Sequence, residues 1–334
     1  MRFWSTNKNA HFTLSTIMNF EKEALDMLML LCGNSGCVIS DSGGKDSTVI
    51  KHLALKAKEK YNLDFKVRHN HTTVDAPETV YYIREEKKRF SQAGIDYEIS
   101  YPKESMMQLI VRHKTPPTRR MRYCCLDLKE NTGFGEKLVT GVRRAESKSR
   151  KENQGVVTFT KPKKELLEKV QDNDNFAKTQ KGGIIVLNFD DSDTREVVEN
   201  CYRNHKTLLN PIINWSDEYL WWYLRSENLI DTLNPIYKKG MCSSNCRVGC
   251  VGCPMAGKQR WEEFAQYPGY KKYYLIAFDL MLKAREKSGL RNGEKWRDAQ
   301  HVFKWWMEDE NCDGQLRMDE LGNIFEEYSD THLN

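Results

Sequence analysis

Residues 38–47, V-I-S-D-S-G-G-K-D-S, constrain the fold more than any other stretch of the chain. An apolar strand end runs into two glycines, and then into Val49, Ile50, Leu53, Ala54 and Ala57 at helical spacing. A phosphate site is built in this order. Glycines turn with φ > 0 and let the backbone approach a ligand, while amides at a helix N-terminus point at an anion. Gly43 and Gly44 supply the turn in this reading, and the amides of Lys45 to Ser47 face the anion. Lys45 adds a point charge, and Asp46 and Ser47 are N-cap-type residues for a helix over 48–60.

Strand signals at 36–40, 65–69, 95–101, 136–142 and 183–188 alternate with helical patterns, one of them opened by Pro77 just inside its start. The alternation predicts an α/β fold with an open, mostly parallel five-stranded sheet that binds ligands beyond the carboxyl ends of its strands. A helix over 21–31 stops at Gly33 before the first strand, and Ser216 caps another through Leu220, Leu224 and Leu229. The cationic loop after the fourth strand, G-V-R-R-A-E-S-K-S-R, places Arg143, Arg144 and Arg150 at the same sheet edge as the phosphate loop. The expected organisation is a leader over 1–24, a nucleotide-binding domain over 25–235 and a cysteine-bearing helical unit over 236–334. Within the domain, 151–182 reads as a polar insertion without chemistry. The rings of Tyr273, Tyr274, Phe278, Phe303, Trp305 and Trp306 read as helix-packing core.

Composition narrows the function class. The net charge of +5 over 334 residues suits anionic small ligands better than a long nucleic-acid footprint. No apolar run reaches the ~20 residues of a membrane span and no cleavable signal pattern opens the sequence, so a cytoplasmic protein without membrane contact is expected. Ten cysteines then point to reduced, catalytic or metal-bound thiols.

Two cysteine groups stand out: Cys124-Cys125 followed by Lys129, and Cys242, Cys246, Cys250 and Cys253. Cys250-Val251-Gly252-Cys253-Pro254 is the strongest metal signal, because two thiolates on a tight turn can share one centre. Three constructions compete. The four later cysteines can form a zinc knuckle; Cys246, Cys250 and Cys253 resemble the radical-SAM spacing, which belongs near the first strand of a different barrel; or the tandem pair joins the later Cys-x2-Cys.

S-G-G-K-D-S resembles the PP-loop of the ATP pyrophosphatases, an adenine nucleotide alpha hydrolase-like fold whose members cleave ATP between the α and β phosphates. Together with G-V-R-R-A-E-S-x-S-R, Cys124-Cys125-x3-Lys129, N-P-I-I-N-W-S-D and R-V-G-C-V-G-C-P-M-A, it resembles the phosphoadenosine phosphosulfate (PAPS) reductase family. The resemblance implies ATP and Mg²⁺ as ligands. It places Ser40, Ser42, Gly43, Gly44, Lys45, Asp46 and Ser47 around the phosphates, with Gly141 and Arg143 beside them. Backbone groups around His71 and Thr72 read the adenine. Catalytic roles fall to Lys45, Asp46, Arg143 and Arg150. By the same resemblance Cys124, Cys125, Cys250 and Cys253 hold a four-iron four-sulfur cluster, with zinc as the alternative metal.

Two departures from the reductases bear on the reaction. The Glu-Cys-Gly-x-His motif of the reductases is replaced by Cys312 in Asn-Cys-Asp-Gly, and the loop lysine that reductases lack is present as Lys45. The expectation is therefore an ATP-cleaving, adenylating enzyme serving sulfur transfer, similar to the DNA-phosphorothioation proteins. Its partners would be a sulfur donor such as a cysteine desulfurase and an acceptor, nucleic acid among the candidates. The rival readings are a PAPS or adenylyl-sulfate reductase and a non-enzymatic nucleotide-binding subunit.

Overall fold

The computed structural model describes residues 14–33, 35–188, 192–201, 205–238, 248–293 and 296–308. The chain forms two units, the first from Met1–Pro102 and Leu128–Gly249, the second from Lys103–Asp127 and Cys250–Asn334.

The first unit is built on one sheet. Its strands are β1 (Cys37–Ser40), β2 (Phe65–Asn70), β3 (Tyr97–Ser100), β4 (Lys137–Val139), β5 (Val157–Thr160), β6 (Phe176–Lys178), β7 (Ile184–Val186) and β8 (Lys206–Leu209), in spatial order β3-β2-β1-β4-β8-β5-β7-β6. The run from β3 to β8 is parallel, with Val38 opposite Lys66 on one side and Leu138 on the other. Beyond β8 the strands β5, β7 and β6 add on antiparallel.

The expected α/β fold with an open, mostly parallel sheet is thus present, with eight strands among the described residues where five were expected. The fifth parallel strand is β8, whereas 183–188 contributes the antiparallel β7. The polar stretch 151–182 holds β5 and β6. Val157, Thr158 and Phe159 are all buried, so both faces of β5 are covered, and the threonines hid the strand in the sequence.

Helices cover the sheet. Helix α1 (Leu14–Cys32) is longer than the predicted 21–31. Helix α2 (Lys45–Tyr61) buries Val49, Ile50, Leu53, Ala54 and Ala57, the predicted face, and ends at Asn62 in the left-handed region. Helix α3 (Pro77–Gln92) begins at its proline. Ser216 caps Asp217–Ser226 by accepting the Tyr219 amide at 3.1 Å.

The second unit is helical in its described residues, with Met106–His113, Gln259–Gln266, Pro268–Lys287 and Ala299–Met307 as its longer helices. Tyr274, Phe278, Phe303 and Trp306 are buried there, with the Tyr274 and Trp306 rings 4.8 Å apart. The Trp306 indole donates to the Pro117 carbonyl at 2.7 Å and the Arg285 guanidinium to the Lys114 carbonyl at 2.9 Å. These bonds fasten residues 103–127 to a core made of sequence far downstream. Among the described residues no helix is long and apolar enough to cross a membrane.

Candidate functional site: a phosphate loop and a set of thiols

The phosphate loop lies where β1 ends and α2 begins. Of the two glycines, Gly43 has φ +72, while Gly44 is extended at φ −93 and caps the helix. Helix α2 therefore starts at Lys45, three residues before the predicted start, and Lys45, Asp46 and Ser47 form its first turn. The Ser47 hydroxyl accepts the Gly44 amide at 3.1 Å and lies 2.8 Å from the Gly44 carbonyl. A glycine cap costs little, so the cap-type residues inside the turn are free to serve other bonds.

Asp41 organises the loop from beneath. One carboxylate oxygen accepts the Gly43 amide at 2.8 Å and the Ser47 hydroxyl at 2.9 Å; the other accepts Lys51 at 2.6 Å and the Tyr97 hydroxyl at 2.8 Å. Burial pushes its pKa up, but the Lys51 charge and hydrogen bond and the Gly43 amide outweigh that and hold it at about 2. Lys51 also donates to Glu86, so a buried ammonium sits between two carboxylates. Sequence reading missed Asp41, because its partners come from β2, β3 and α2.

On the outer side Asp46 bridges two cations. Its Oδ2 accepts Lys45 at 3.0 Å and its Oδ1 accepts Arg143 at 2.7 Å. Burial again opposes ionisation, and the Lys45 and Arg143 charges overcome it and lower the Asp46 pKa. Arg143 is fully buried and also donates to Asp217 at 2.7 Å and to the Trp215 carbonyl at 3.1 Å. Its guanidinium thus positions Asp46. Gly141 is required by close approach: a Cβ there would stand 2.8 Å from the Asp46 carbonyl carbon. Lys45 itself is only 8% exposed, not the solvent-facing lysine an ordinary glycine turn would carry.

The remaining predicted residues divide. Ser40 ends β1, and Ser42 lies 3.3 Å from both the Ser47 hydroxyl and the Gly44 amide. His71 and Thr72 follow β2: Thr72 donates its amide and hydroxyl to Asp75, each at 2.7 Å, and the Thr73 amide donates to His71 at 3.0 Å. The His69 imidazole, Nδ1 to the Asp41 carbonyl at 2.8 Å, ties this turn to the phosphate loop. Arg150 instead pairs with Glu146 one helical turn away, inside Lys148–Asn153.

In the second unit the thiols of Cys124, Cys125, Cys250 and Cys253 share one neighbourhood. Hydrogen bonding to Cys125, then burial, then the charges of Cys125, Cys250 and Cys253 push the Cys124 thiol up. Gly252, inside the second pair, donates its amide to Glu263 at 2.7 Å, and the Tyr274 hydroxyl donates to the Val251 carbonyl at 3.0 Å. Among the described residues no group of three or more His, Cys, Asp or Glu is gathered to hold a metal ion. Four thiols fit an iron-sulfur cluster in donor chemistry, since each then serves a different iron. Cys242 and Cys246, which the zinc knuckle needs, and Cys312 lie outside the described residues.

The phosphoadenosine phosphosulfate reductase domain model matches residues 36–256. The chain belongs to the PAPS reductase family. Solved structures similar to it include the phosphoadenylyl-sulfate reductase of Candida auris in a phosphate complex, at 14% identity and TM-score 0.40 over 72% of this chain and 96% of that one. The FMN adenylyltransferase of Candida glabrata with FMN and an ATP analogue is 15% identical at TM-score 0.39 over 73% and 68%. The U34-tRNA thiolase NcsA of Methanococcus maripaludis, with its 4Fe-4S cluster, is 13% identical at TM-score 0.37 over 83% and 82%. No curated protein matches the chain. The PAPS reductase match spans both the phosphate loop and the Cys-x2-Cys pair.

Proposed function

We propose that this PAPS reductase-family protein cleaves ATP to AMP and pyrophosphate, adenylating an acceptor that sulfur then attacks. The observation that carries the reading is Lys45 at the first position of α2, directly after the glycine turn and ion-paired to Asp46. A substrate that arrives already adenylated leaves no pyrophosphate to cleave. A lysine at this point is suited to hold β and γ phosphates.

In the proposed reaction the Lys45 ammonium and the next amides of α2, those of Asp46 and Ser47, hold the β and γ phosphates. Phosphate draws the Lys45 ammonium away from Asp46, whose freed oxygen can take Mg²⁺, and Arg143 keeps that carboxylate aimed and ionised. Mg²⁺, when bound, would neutralise charge growing on the leaving pyrophosphate. The acceptor oxygen forms a bond to the α phosphorus as the α,β bridge breaks, and a sulfur nucleophile later expels AMP. Adenine is read by backbone groups around His71 and Thr72, which favours ATP over GTP. Cys124, Cys125, Cys250 and Cys253 would hold the four-iron cluster, whose chemistry is to bind or activate sulfur.

Family membership favours a second reading, reduction of PAPS or adenylyl sulfate. Anaerobic protein incubated in parallel with ATP plus candidate acceptors, and with PAPS plus a thiol reductant, separates the two. Pyrophosphate release supports adenylation, and sulfite release supports reduction.

A further inference from the structure

The phosphate loop carries a residue from far along the chain that no motif announces. The Lys45 amide, first in α2, donates to the Tyr237 hydroxyl at 3.0 Å. A helix's first amides have no partner within the helix, and in a phosphate loop they are the groups that meet the anion. A phenol oxygen therefore stands at the position of a phosphate contact.

Tyr237 is held there by a short built segment. Asn234 is fully buried and its side-chain amide donates to the Gly43 carbonyl at 3.3 Å and to the Thr79 hydroxyl at 3.0 Å, clasping the glycine turn against α3. Its carboxamide oxygen accepts the Ile236 amide at 3.1 Å and its carbonyl accepts the Tyr237 amide at 2.9 Å, which winds Pro235–Lys238 into a 3₁₀ turn. The Tyr237 ring packs edge-on against Trp221 at 6.3 Å. Ring and backbone are both fixed, so the hydroxyl is aimed by the fold.

The direction of the bond matters. Because the hydroxyl accepts from the Lys45 amide, its own proton points elsewhere, and the described residues present no acceptor for it. We propose that Tyr237 is a phosphate-contacting residue, its hydroxyl donating to a β or γ phosphate oxygen of the nucleotide while the Lys45 amide polarises it from behind. The proposal rests on the ATP reading above and adds to it a specific contact to the leaving pyrophosphate. AMP, which lacks those phosphates, gains nothing from this hydroxyl.

The test is calorimetric titration of the full chain with ATP, inorganic pyrophosphate and AMP in the presence of Mg²⁺, comparing wild type, Lys45→Ala and Tyr237→Phe. Phenylalanine keeps the ring on Trp221, and an unchanged melting temperature checks the fold. The expected result is about tenfold or greater weakening of ATP and pyrophosphate by Tyr237→Phe, in line with loss of one hydrogen bond to a charged group, with AMP within about twofold of wild type. Suppose that wild type binds ATP, Lys45→Ala does not, and Tyr237→Phe binds as wild type or tighter. The contact is then overturned while the phosphate loop stands. Equal weakening of AMP would mark a general structural effect and overturn it too. Wild type that binds neither ATP nor pyrophosphate overturns both readings.

Discussion

The Lys51 ammonium donates to the Asp41 carboxylate at 2.6 Å inside the first unit, and both side chains are almost wholly buried. Lys51 stands on α2 and Asp41 at the end of β1, so this pair locks the helix to the strand across the glycine turn. Two buried ions are costly in isolation, and here the cost is offset because Asp41 also accepts Gly43, Ser47 and Tyr97.

Acid should therefore loosen the phosphate loop through Asp41. Its folded pKa of about 2 lies below the ordinary aspartate value of 3.8, so the ionised form stabilises the fold above pH 3.8. That contribution, about 2 kcal/mol, is lost as pH falls from 3.8 through 2. Asp41→Asn should lack this component in urea unfolding curves compared across that window. Lys51→Met, which takes the bonded cation from the buried Asp41 carboxylate while Glu86 keeps Arg89 at 2.9 Å, should cost about 3–5 kcal/mol at neutral pH.

Gly141→Ala tests the close approach of the fourth-strand loop to α2. The new methyl would meet the Asp46 backbone at 2.8 to 2.9 Å, where no flexible side chain can yield. Asp46 must shift, and the Arg143 bond to it must lengthen. The expected cost is about 1–3 kcal/mol in stability, with ATP binding lost more severely than the stability change alone explains. Calorimetry and thermal unfolding of the same preparation check this, and wild-type affinity in the variant would contradict it.

Much of this was legible in the sequence where the causes are local. The strand, turn and helix over 37–61 follow from adjacent residues: apolar Val38 and Ile39, two glycines, then apolar residues at helical spacing. Two of the antiparallel strands, β5 and β6, were not legible, because V-T-F-T and F-A-K gain their stability from neighbours that sequence order does not reveal. Lys206 to Leu209 likewise reads weakly as K-T-L-L, and becomes a central strand only by pairing with β4 and β5. Asp41 and Tyr237 looked like loop residues for the same reason: what makes them part of the site is contact with Lys51, Tyr97 and the Lys45 amide. The attachment of residues 103–127 to the downstream helices depends on Trp306 and Arg285 reaching back to carbonyls, a link that no periodicity encodes.

The thiol assignment predicts a pattern across distant cysteines. If Cys124, Cys125, Cys250 and Cys253 share one cluster, Cys125→Ser should lower iron content and bleach the brown absorbance as severely as Cys250→Ser. Cys242→Ser should do much less. Iron and zinc counts on anaerobically purified variants decide it. Full iron in the Cys124→Ser, Cys125→Ser double variant would remove the tandem pair from the ligand set, and colourless zinc released by Cys242→Ser would favour a knuckle of the later cysteines.

The phosphate loop is proposed to serve cleavage of ATP between its α and β phosphates. The direct measurement incubates anaerobically purified protein with Mg²⁺ and ATP labelled at the α phosphorus, with and without candidate acceptors, and resolves the products. The expected products are AMP, free or bound to the acceptor, with one pyrophosphate for each ATP consumed, and none of these from folded Lys45→Ala protein. Formation of ADP and phosphate, or sulfite release from PAPS with ATP left intact under every acceptor, would contradict it.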